Sequence, residues 1–430
     1  MASLPPSRPG LIRAVGRWPL LALSINDVVG SGIYLLPASA ALLLGPASLW
    51  AVLLAGIAVS LLVLCYAQAA SCFDQPGGAY LYAREAFGDF IGFEIGWMTW
   101  VTRVAVAAAL ANGFVQALAA FMPVLGAGPP RVAAIIGVLA LVTTVNLVGV
   151  RASANTAVAL VIAKLVPLLF LVVVGVWFIE PTRLAALAIP ADARLGEAAL
   201  LLLFAYAGFE NSPAAAGEYR NPKRDLPAAL LRMIVIVTLI YLGVQAVALG
   251  TLDALSTSRA PLVDAARSFA GAPGALLLGA GAAVSILGTL TTTMLFGPRY
   301  VYAIALDGGA PAVFARLHPR WRTPVAAIVL QAMLALGLAL TGSFVELALL
   351  SMVARLCAYI GTAASVMVLR RRHADRAELL RLPGGDAIPL GALALALGLL
   401  ASAHLANLVA GAIAFALGAI IYALSRRARR

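Results

Sequence analysis

The sequence predicts an all-α polytopic membrane protein, and three observations lead to this fold class. Hydrophobic residues make up 63% of the 430 residues and charged residues only 11%, with a mean hydropathy of +0.99. A soluble protein of this length could not cover its surface with so few polar groups. Apolar runs of roughly 18 residues or more, the length of a membrane-spanning helix, recur along the whole chain. The alternation of polar and apolar residues that marks an outer-membrane barrel is absent from the sequence.

Twelve transmembrane helices can be placed in order along the chain. They comprise residues 18–44, 48–73, 90–121, 131–149, 153–178, 196–219, 226–250, 272–306, 323–341, 344–369, 387–402 and 404–424. The third and the eighth are long enough to be tilted. The last two are rich in glycine and alanine, which indicates packing or interface helices and is compatible with a homo-oligomer.

The distribution of basic residues predicts the orientation in the membrane. A net charge of +12 would suggest a nucleic-acid partner in a soluble protein, but the positive-inside rule explains it here, so no nucleic acid is expected. Twenty-one of the 30 lysines and arginines fall on the face that carries both termini, and 5 fall on the opposite face. We therefore expect a multi-pass protein of the inner (plasma) membrane, surrounded by lipid, with both termini in the cytoplasm.

Two connections between helices are longer than the others. Residues 74–89 are predicted to form a cytoplasmic turn followed by a short amphipathic helix. Residues 251–271 are predicted to form an extracellular loop with its own helix, from Pro261 to Phe269. The sequence contains no segment long enough for a separate soluble domain.

The first predicted helix is interrupted near its middle by Gly30, Ser31 and Gly32, directly after Asn26 and Asp27. Glycine costs about 1 kcal/mol relative to alanine inside a helix, and a carboxylate at membrane depth costs a few kcal/mol. The arginines before this run superficially resemble a signal peptide, but the run is too long and too interrupted, so we interpret it as a retained helix. The pattern predicts a broken transmembrane helix whose backbone ends form a binding site.

The sixth predicted helix repeats this interruption, with Gly208, Glu210 and Asn211 in the middle of its span. Gly30 and Gly208 each lie about 18 Å from one end of their spans at 1.5 Å per residue, close to the membrane midplane. Two interrupted helices at corresponding places indicate a transporter site at mid-membrane. The alternative is a pair of kinked helices that pack closely through glycine.

Broken helices offer complementary groups to a zwitterion. The amides of Ser31, Gly32 and Ile33 would attract a carboxylate at the start of the second half-helix. The carbonyls around Phe204, Ala205 and Ala207 would accept hydrogen bonds from an ammonium group. A molecule that carries both groups close together is an α-amino acid.

Several motifs, in this order along nearly the whole chain, resemble the amino acid–polyamine–organocation family of permeases. They are residues 30–37 (GSGIYLLP), 76–82 (PGGAYLY), 84–88 (REAFG), 208–210 (GFE), 221–227 (NPKRDLP), 298–299 (PR), 307–308 (DG) with Pro311, and 323–324 (TP). The resemblance implies a leucine-transporter-like five-plus-five inverted repeat with broken helices 1 and 6. The first repeat would comprise residues 1–195, the second 196–386, and residues 387–430 would add two helices and a basic cytoplasmic tail.

The resemblance also implies roles for two charged residues. Lys164 lies about 17 Å into the fifth span among apolar neighbours, where a lysine must pair, lose its proton or face water. By resemblance it occupies the place of a sodium ion and bridges the first and eighth helices; the alternative is a lysine that snorkels outward. Glu210 matches a family glutamate that senses protons or orients the unwound backbone.

Other site positions are less constrained. Asp27 would neutralise a cationic side chain, sense protons, or pair with Lys164 or Arg103, and these alternatives stay open. Arg103 and Arg355 are expected to be structural. By resemblance Phe204 is the expected aromatic gate over bound substrate, and Tyr206 or Phe209 would share that role; the alternative for each is ordinary hydrophobic packing. The family position that carries an aromatic residue in arginine exchangers corresponds here to Met294, which favours a neutral substrate, an apolar one included. The complete predicted site comprises Asp27, Val29, Gly30, Ser31, Gly32, Ile33, Ala107, Phe204, Ala205, Tyr206, Ala207, Gly208, Phe209 and Met294 for substrate, and Lys164 and Glu210 for proton coupling.

The sequence thus favours a secondary active amino acid transporter that is proton-coupled or exchanging, independent of sodium and without a cofactor. Dinucleotide and phosphate-binding fingerprints are absent from the sequence, and the three cysteines and three histidines are scattered, so neither an enzyme nor a metal site is expected. One alternative is a polyamine or cationic amino acid antiporter, favoured by Asp27 and Glu210. The other is a membrane amino acid sensor that moves no solute.

Overall fold

The computed structural model describes residues 11–119, 121–184, 198, 202–203, 205–342, 344–375, 379–401, 403 and 405–427. Helices account for nearly all of the regular structure in these residues, and a single isolated β-bridge joins Val15 to Tyr219. The all-α fold class predicted from hydropathy is confirmed.

Fourteen α-helices follow one another in the described part of the chain, and short 3-10 turns connect several of them. They are α1 (Arg17–Val28), α2 (Gly32–Leu44), α3 (Ser48–Cys72), α4 (Ala79–Phe87), α5 (Asp89–Ala119), α6 (Gly128–Leu147), α7 (Val150–Gly175), α8 (Pro181–Leu184), α9 (Pro222–Thr251), α10 (Pro261–Leu306), α11 (Val325–Thr341), α12 (Phe344–Arg372), α13 (Ala387–Ala401) and α14 (Leu405–Arg427).

These helices correspond to the predicted spans. Eight helical stretches of the described residues are long and apolar enough to cross a membrane, and one of them, Gly32–Cys72, contains both α2 and α3. The apolar helices α11 and α13 are shorter, at 17 and 15 residues. The sixth predicted span lies partly outside the described residues. Of its first half, Leu202, Leu203 and Ala205 are described, and all three are helical. The chain is therefore a multi-pass membrane protein.

Two predicted boundaries differ from the structure. After a turn at residues 206–208, the sixth span continues as a ten-residue 3-10 helix, Phe209–Glu218, which was expected to be α-helical. The predicted separate helix from Pro261 to Phe269 runs on into the eighth span, so α10 is 46 residues long. Only Gly271 departs from helical geometry within it, with φ of 62°, which marks a kink rather than a loop.

The core lies where the broken segments meet the long helices. Helix α5 packs against α10 and α12, α3 packs against α9, and α7 packs against α10. Helix α1 contacts α7, α9 and α10 and is therefore enclosed by them. By contrast, many apolar residues of α14 are exposed, as expected of a helix that faces lipid.

The end of the bundle that carries the arginine-rich loops is joined by backbone hydrogen bonds, and we call it the basic end. All ten residues of Phe209–Glu218 are buried there. Val15 N donates to Glu218 O (3.1 Å) and Arg220 N donates to Val15 O (2.9 Å), so the segment before α1 is fixed to the end of the 3-10 helix. Gly77 N also donates to Ala214 O (3.1 Å), which attaches the turn before α4 to the same helix.

Candidate functional site

The two helix breaks lie against each other. Helix α1 ends at Val28, α2 begins at Gly32, and residues 29–31 between them are not helical. Gly208 lies in the opposite turn with φ of 134°, and a Cβ placed on it would lie 2.5 Å from the backbone oxygen of Asp27. Because a side chain favours neither this φ nor this distance, only glycine allows the two backbones to approach so closely.

A small cavity of about 60 Å³ lies between the breaks. Its walls come from the broken segments, from α5, and from α10 and α12. The lining residues are Asp27, Val28, Gly30, Ser31, Gly32, Arg103, Val106, Ala109, Leu110, Ala205, Ala207, Gly208, Thr289, Ser351 and Arg355. A helix that begins at Gly32 directs its first amides and the positive end of its dipole towards this space, which suits a carboxylate.

Lys164 of α7 is fully buried and reaches the break behind the cavity. Its Nζ donates to Asn26 O (2.9 Å), to Val29 O (2.5 Å) and to Thr289 Oγ1 (3.4 Å). An ammonium group has three N–H donors, and three oxygens lie within hydrogen-bond distance of this nitrogen. The side chain therefore links α7 to both the end of α1 and helix α10, and it does not snorkel.

Helix α10 holds the same break with hydroxyl groups. Ser285 Oγ donates to Val29 O (3.0 Å), and Thr289 Oγ1 donates to Asn26 O (3.1 Å). Thr292 Oγ1 donates to Asp27 Oδ1 (2.8 Å). These three residues are spaced by four and three positions, so they lie on one face of the helix. Ser285 and Thr289 replace backbone hydrogen bonds that the broken helix lacks, and Thr292 holds the side chain of Asp27.

Asp27 is buried and bonded on both carboxylate oxygens. Besides the bond from Thr292, Asn211 Nδ2 donates to Asp27 Oδ2 at 2.7 Å. Arg103 Nη1 lies 3.7 Å from the same oxygen. Of the two partners considered from the sequence, the structure pairs Asp27 with Arg103.

Glu210 lies at the centre of a second buried cluster. Its Oε2 accepts hydrogen bonds from Gly208 N (2.8 Å) and from the Tyr359 hydroxyl (3.2 Å). Its Oε1 lies 3.2 Å from Arg355 Nε and 3.5 Å from Arg103 Nη2. Arg103 thus bridges Asp27 and Glu210, and every one of these charged side chains is almost completely buried.

Seven of the predicted substrate residues line the cavity, namely Asp27, Gly30, Ser31, Gly32, Ala205, Ala207 and Gly208. Phe204, the expected gate, lies outside the described residues. The carbonyl of Ala205, expected to accept from an ammonium group, already accepts from the Tyr241 hydroxyl (2.9 Å). Since a carbonyl has two lone pairs, it keeps capacity for one more donor.

The remaining predicted substrate residues lie outside the cavity lining. Val29 contributes its carbonyl oxygen to Lys164, while its side chain and that of Ile33 are buried in the core. Ala107 and Met294 pack in a separate apolar cluster, and Met294 Sδ accepts from Gln331 Nε2 at 3.5 Å. Neither residue lines the cavity in this structure, although the same cluster contains Leu110, which does, and both stay predicted substrate residues.

The two alternative gate residues also pack elsewhere. The Tyr206 hydroxyl donates to Val52 O (3.3 Å), and its ring lies 4.9 Å from that of Tyr241. Phe209 stacks on Tyr359 with ring centroids 5.4 Å apart. The turn at residues 206–208 and the 3-10 geometry after it change the directions of these side chains relative to a continuous α-helix. Neither ring covers the cavity in this structure.

Sequence reasoning missed Arg103 and Arg355 as cavity residues, since both were expected to serve only as structural ties. It also missed the hydroxyl groups of α10, although their spacing of four and three residues in an apolar helix is a readable signal. On α5, Val106 and Leu110 lie on the same face as Arg103 and complete that wall.

A second buried ion pair lies outside the cavity lining, at the basic end. Arg299 of α10 donates from Nη2 to Glu218 Oε1 (2.8 Å) and from Nε to Glu218 Oε2 (3.3 Å), and both side chains are almost fully buried. Nearby, the hydroxyl of Tyr80 in α4 donates to Asp307 Oδ2 (2.8 Å). The 3-10 helix is thereby held against α10 on this side of the site.

Comparisons with known proteins agree with this architecture. A family model described as "Amino acid permease" matches residues 15–423. The chain is 26% identical to the methylthioribose transporter of Bacillus subtilis (strain 168) over 97% of this chain and 94% of the relative. It is 29% identical to the serine/threonine exchanger SteT of the same organism, over 90% of each chain. It is 27% identical to the branched-chain amino acid permease BcaP, again from that organism, over 97% of this chain and 94% of the relative.

Proposed function

This chain belongs to the amino acid permease family, whose members are membrane transporters rather than enzymes, and we propose that it carries an amino acid across the membrane by alternating access. The observation that best supports transport is the cavity between the two helix breaks, whose wall contains the backbone ends of both breaks. Backbone ends of this kind bind small charged groups in broken-helix transporters.

The substrate's backbone groups have complementary surroundings in this cavity. We place the α-carboxylate at the start of α2, where the amides of Ser31 and Gly32 and the helix dipole favour a negative group. We place the α-ammonium group against the turn around Ala205 and Ala207, where carbonyl oxygens face the cavity side of the break. A zwitterion bound in this way joins the two breaks.

Lys164 serves, in this proposal, as the cation that holds the first break to the scaffold. Its three hydrogen bonds join the end of α1 to α7 and α10, which is the role that a sodium ion would otherwise require. Transport is therefore independent of sodium.

A proton on Lys164 would couple to the movement of α1. A neutral amine has only two N–H donors, so loss of the proton removes one donated hydrogen bond and takes the positive charge from the other two. The break is then held less firmly by α7 and α10, which favours movement of the broken helices. Such a device serves proton symport and amino acid exchange alike.

The larger organisation follows the same reasoning. We propose that residues 1–195 and 196–386 form inverted repeats, each beginning with a broken helix, and that residues 387–430 add α13, α14 and a basic tail. The arginine content of the basic end supports an orientation with both termini in the cytoplasm of a plasma membrane, with lipid around the bundle.

The experiment that tests this function is uptake into liposomes that contain the purified protein. Labelled amino acids are supplied outside in sodium-free buffer, with and without an inward proton gradient or an internal amino acid. Accumulation of at least one amino acid supports the proposal. A protein that binds amino acids in a thermal-shift assay yet accumulates none would be a sensor, contrary to the proposal.

A cationic amino acid or a polyamine is the second candidate substrate, because two carboxylates, those of Asp27 and Glu210, lie at or beside the cavity. The uptake panel includes lysine, arginine and putrescine for this reason. Preference for these compounds over neutral amino acids would favour an antiporter of cations.

A further inference from the structure

Every carboxylate oxygen of the two acidic residues of the site already has a donor from the protein. Each oxygen of Asp27 accepts a short hydrogen bond, from Thr292 (2.8 Å) and from Asn211 (2.7 Å). Each oxygen of Glu210 is also engaged, one by Gly208 N and Tyr359 and the other by two arginines. Because a carboxylate oxygen has more than one lone pair, a cationic side chain would share these oxygens with donors of the protein and would find no unengaged carboxylate.

Arg103, by contrast, has hydrogen-bond donors that the protein engages weakly or not at all. It is 2% exposed and lines the cavity, yet its contacts with the two carboxylates are long, at 3.7 Å to Asp27 and 3.5 Å to Glu210. Its Nε has no hydrogen-bond partner in the part of the chain that the structure describes. A guanidinium carries five N–H donors, and buried donors are normally satisfied, so this side chain is short of acceptors.

The position of Arg103 is suited to the side chain of a substrate rather than to its backbone groups. The backbone groups are accommodated at the start of α2 and at the turn around Ala207, both on the broken segments. Arg103 lies on the neighbouring helix α5, next to an apolar wall formed by Val106 and Leu110 three and seven residues further on. A side chain that leaves the substrate's α-carbon towards α5 meets this wall and the guanidinium.

The charges around the cavity favour the same kind of side chain. The buried group holds three basic side chains, those of Lys164, Arg103 and Arg355, and two carboxyl groups, those of Asp27 and Glu210, so basic groups exceed acidic groups by one. A zwitterionic backbone does not change this balance. An ammonium side chain would increase the excess, whereas a carboxylate would remove it and a hydroxyl or amide oxygen would partly offset it.

We infer that Arg103 determines side-chain specificity, and that the transported amino acid carries an oxygen acceptor in its side chain. This inference rests on the proposed transport function and names the substrate class of the same site. The guanidinium donates to the side-chain oxygen, while Val106 and Leu110 contact its methylene or methyl groups.

Isosteric amino acids test the inference without any mutation. Threonine and valine have side chains of nearly the same shape, as do asparagine and leucine. Only the first member of each pair carries an oxygen in its side chain. We expect threonine and asparagine to be taken up at least about tenfold more efficiently than their isosteres, because a site built to bond an oxygen rejects an analogue that lacks it. Lysine is expected to compete poorly with either.

The variant Arg103→Lys tests the residue itself. Lysine keeps the charge beside Asp27 and Glu210 but lacks Nε and the planar fork, so the threonine-to-valine ratio should fall towards one. The matched control is Arg299→Lys, which makes the same change in another buried, ion-paired arginine that does not line the cavity, and which should leave the ratio unchanged.

The outcomes separate the inference from the proposed function. Uptake of no amino acid at all overturns the transport function, and the inference with it. Uptake in which valine and leucine equal or exceed threonine and asparagine overturns the inference alone, as does preferred uptake of lysine. An unchanged ratio in well-folded Arg103→Lys would also overturn it; if that variant does not fold, the wild-type isostere panel decides the question.

Discussion

The Nζ atom of Lys164 lies 2.5 Å from the carbonyl oxygen of Val29, the first residue beyond the end of helix α1. This contact joins a lysine of α7 to a carbonyl that the broken helix leaves without its regular partner. The same Nζ donates to Asn26 O, within the last turn of α1. A single side chain thus substitutes for the backbone bonds lost at the break.

Replacement of Lys164 by methionine tests this contact. Methionine retains the length of the side chain but has no donor, so the carbonyls of Asn26 and Val29 would lose a buried, charged partner. Such hydrogen bonds contribute about 1.5–3 kcal/mol each. We expect uptake into liposomes to fall at least about tenfold and the response to an imposed pH gradient to disappear.

The control for this variant is Lys223→Met, at an exposed lysine near the start of α9. It should retain wild-type uptake. Wild-type, pH-driven uptake by Lys164→Met would contradict the role assigned to this lysine.

The variant Gly208→Ala should disrupt the meeting of the two breaks. A Cβ at this position would lie 2.5 Å from Asp27 O, on a residue whose φ is 134°. Backbone strain of this kind costs about 1–3 kcal/mol, before the clash is counted. We expect a lower melting temperature in detergent and loss of uptake.

Gly137→Ala provides the comparison, because no atom lies within 4 Å of the Cβ position of this helical glycine. Alanine is favoured over glycine in a helix by about 1 kcal/mol, so this variant should be as stable as the wild type or more stable. If both alanine variants melted alike, the close approach at Gly208 would not matter to the fold.

The charges of Glu218 and Arg299 should affect the stability of the fold jointly, so that the loss of one alone costs more than the loss of both. Glu218→Gln leaves the buried guanidinium of Arg299 without its counter-charge, which typically costs about 3–5 kcal/mol. The double variant Glu218→Gln with Arg299→Met removes both charges and should recover part of that loss. Melting temperatures of the two single variants and the double variant form the required cycle; additive losses would indicate that the two charges do not depend on each other.

Asp27→Asn separates the roles that the sequence left open for this residue. Both oxygens of Asp27 accept hydrogen bonds from other side chains, so an amide at this position would direct its NH₂ group at a donor. We expect uptake of all substrates to fall by a similar factor, as measured with the same labelled panel. A selective loss of lysine or arginine uptake would instead assign Asp27 to the binding of a cationic side chain.

The sequence predicted those features of the site that come from residues unfavourable within a single transmembrane helix. Glycines at positions 30 and 208, and a lysine at position 164, are unfavourable within apolar spans, so each required an explanation from the sequence alone. The fold class followed from hydropathy for the same reason. These signals lie within single helices and need no knowledge of packing.

The cluster around Arg103 could not be predicted in this way. Its partners, Asp27 and Glu210, come from two other segments of the chain, and only the packed structure brings them together. The packing of Ala107 and Met294 outside the cavity lining could not be predicted for a related reason. A membrane helix can be apolar on every face, so its sequence does not show which face turns towards the site.

Uptake in the complete absence of sodium tests the account most directly. The purified protein is reconstituted in liposomes, choline replaces sodium on both sides, and labelled amino acids are supplied with an inward proton gradient or an internal amino acid. The contacts of Lys164 predict accumulation at the same rate as in sodium buffer. Accumulation that requires sodium, while the same protein transports in its presence, would contradict the role of Lys164 as the resident cation of the site.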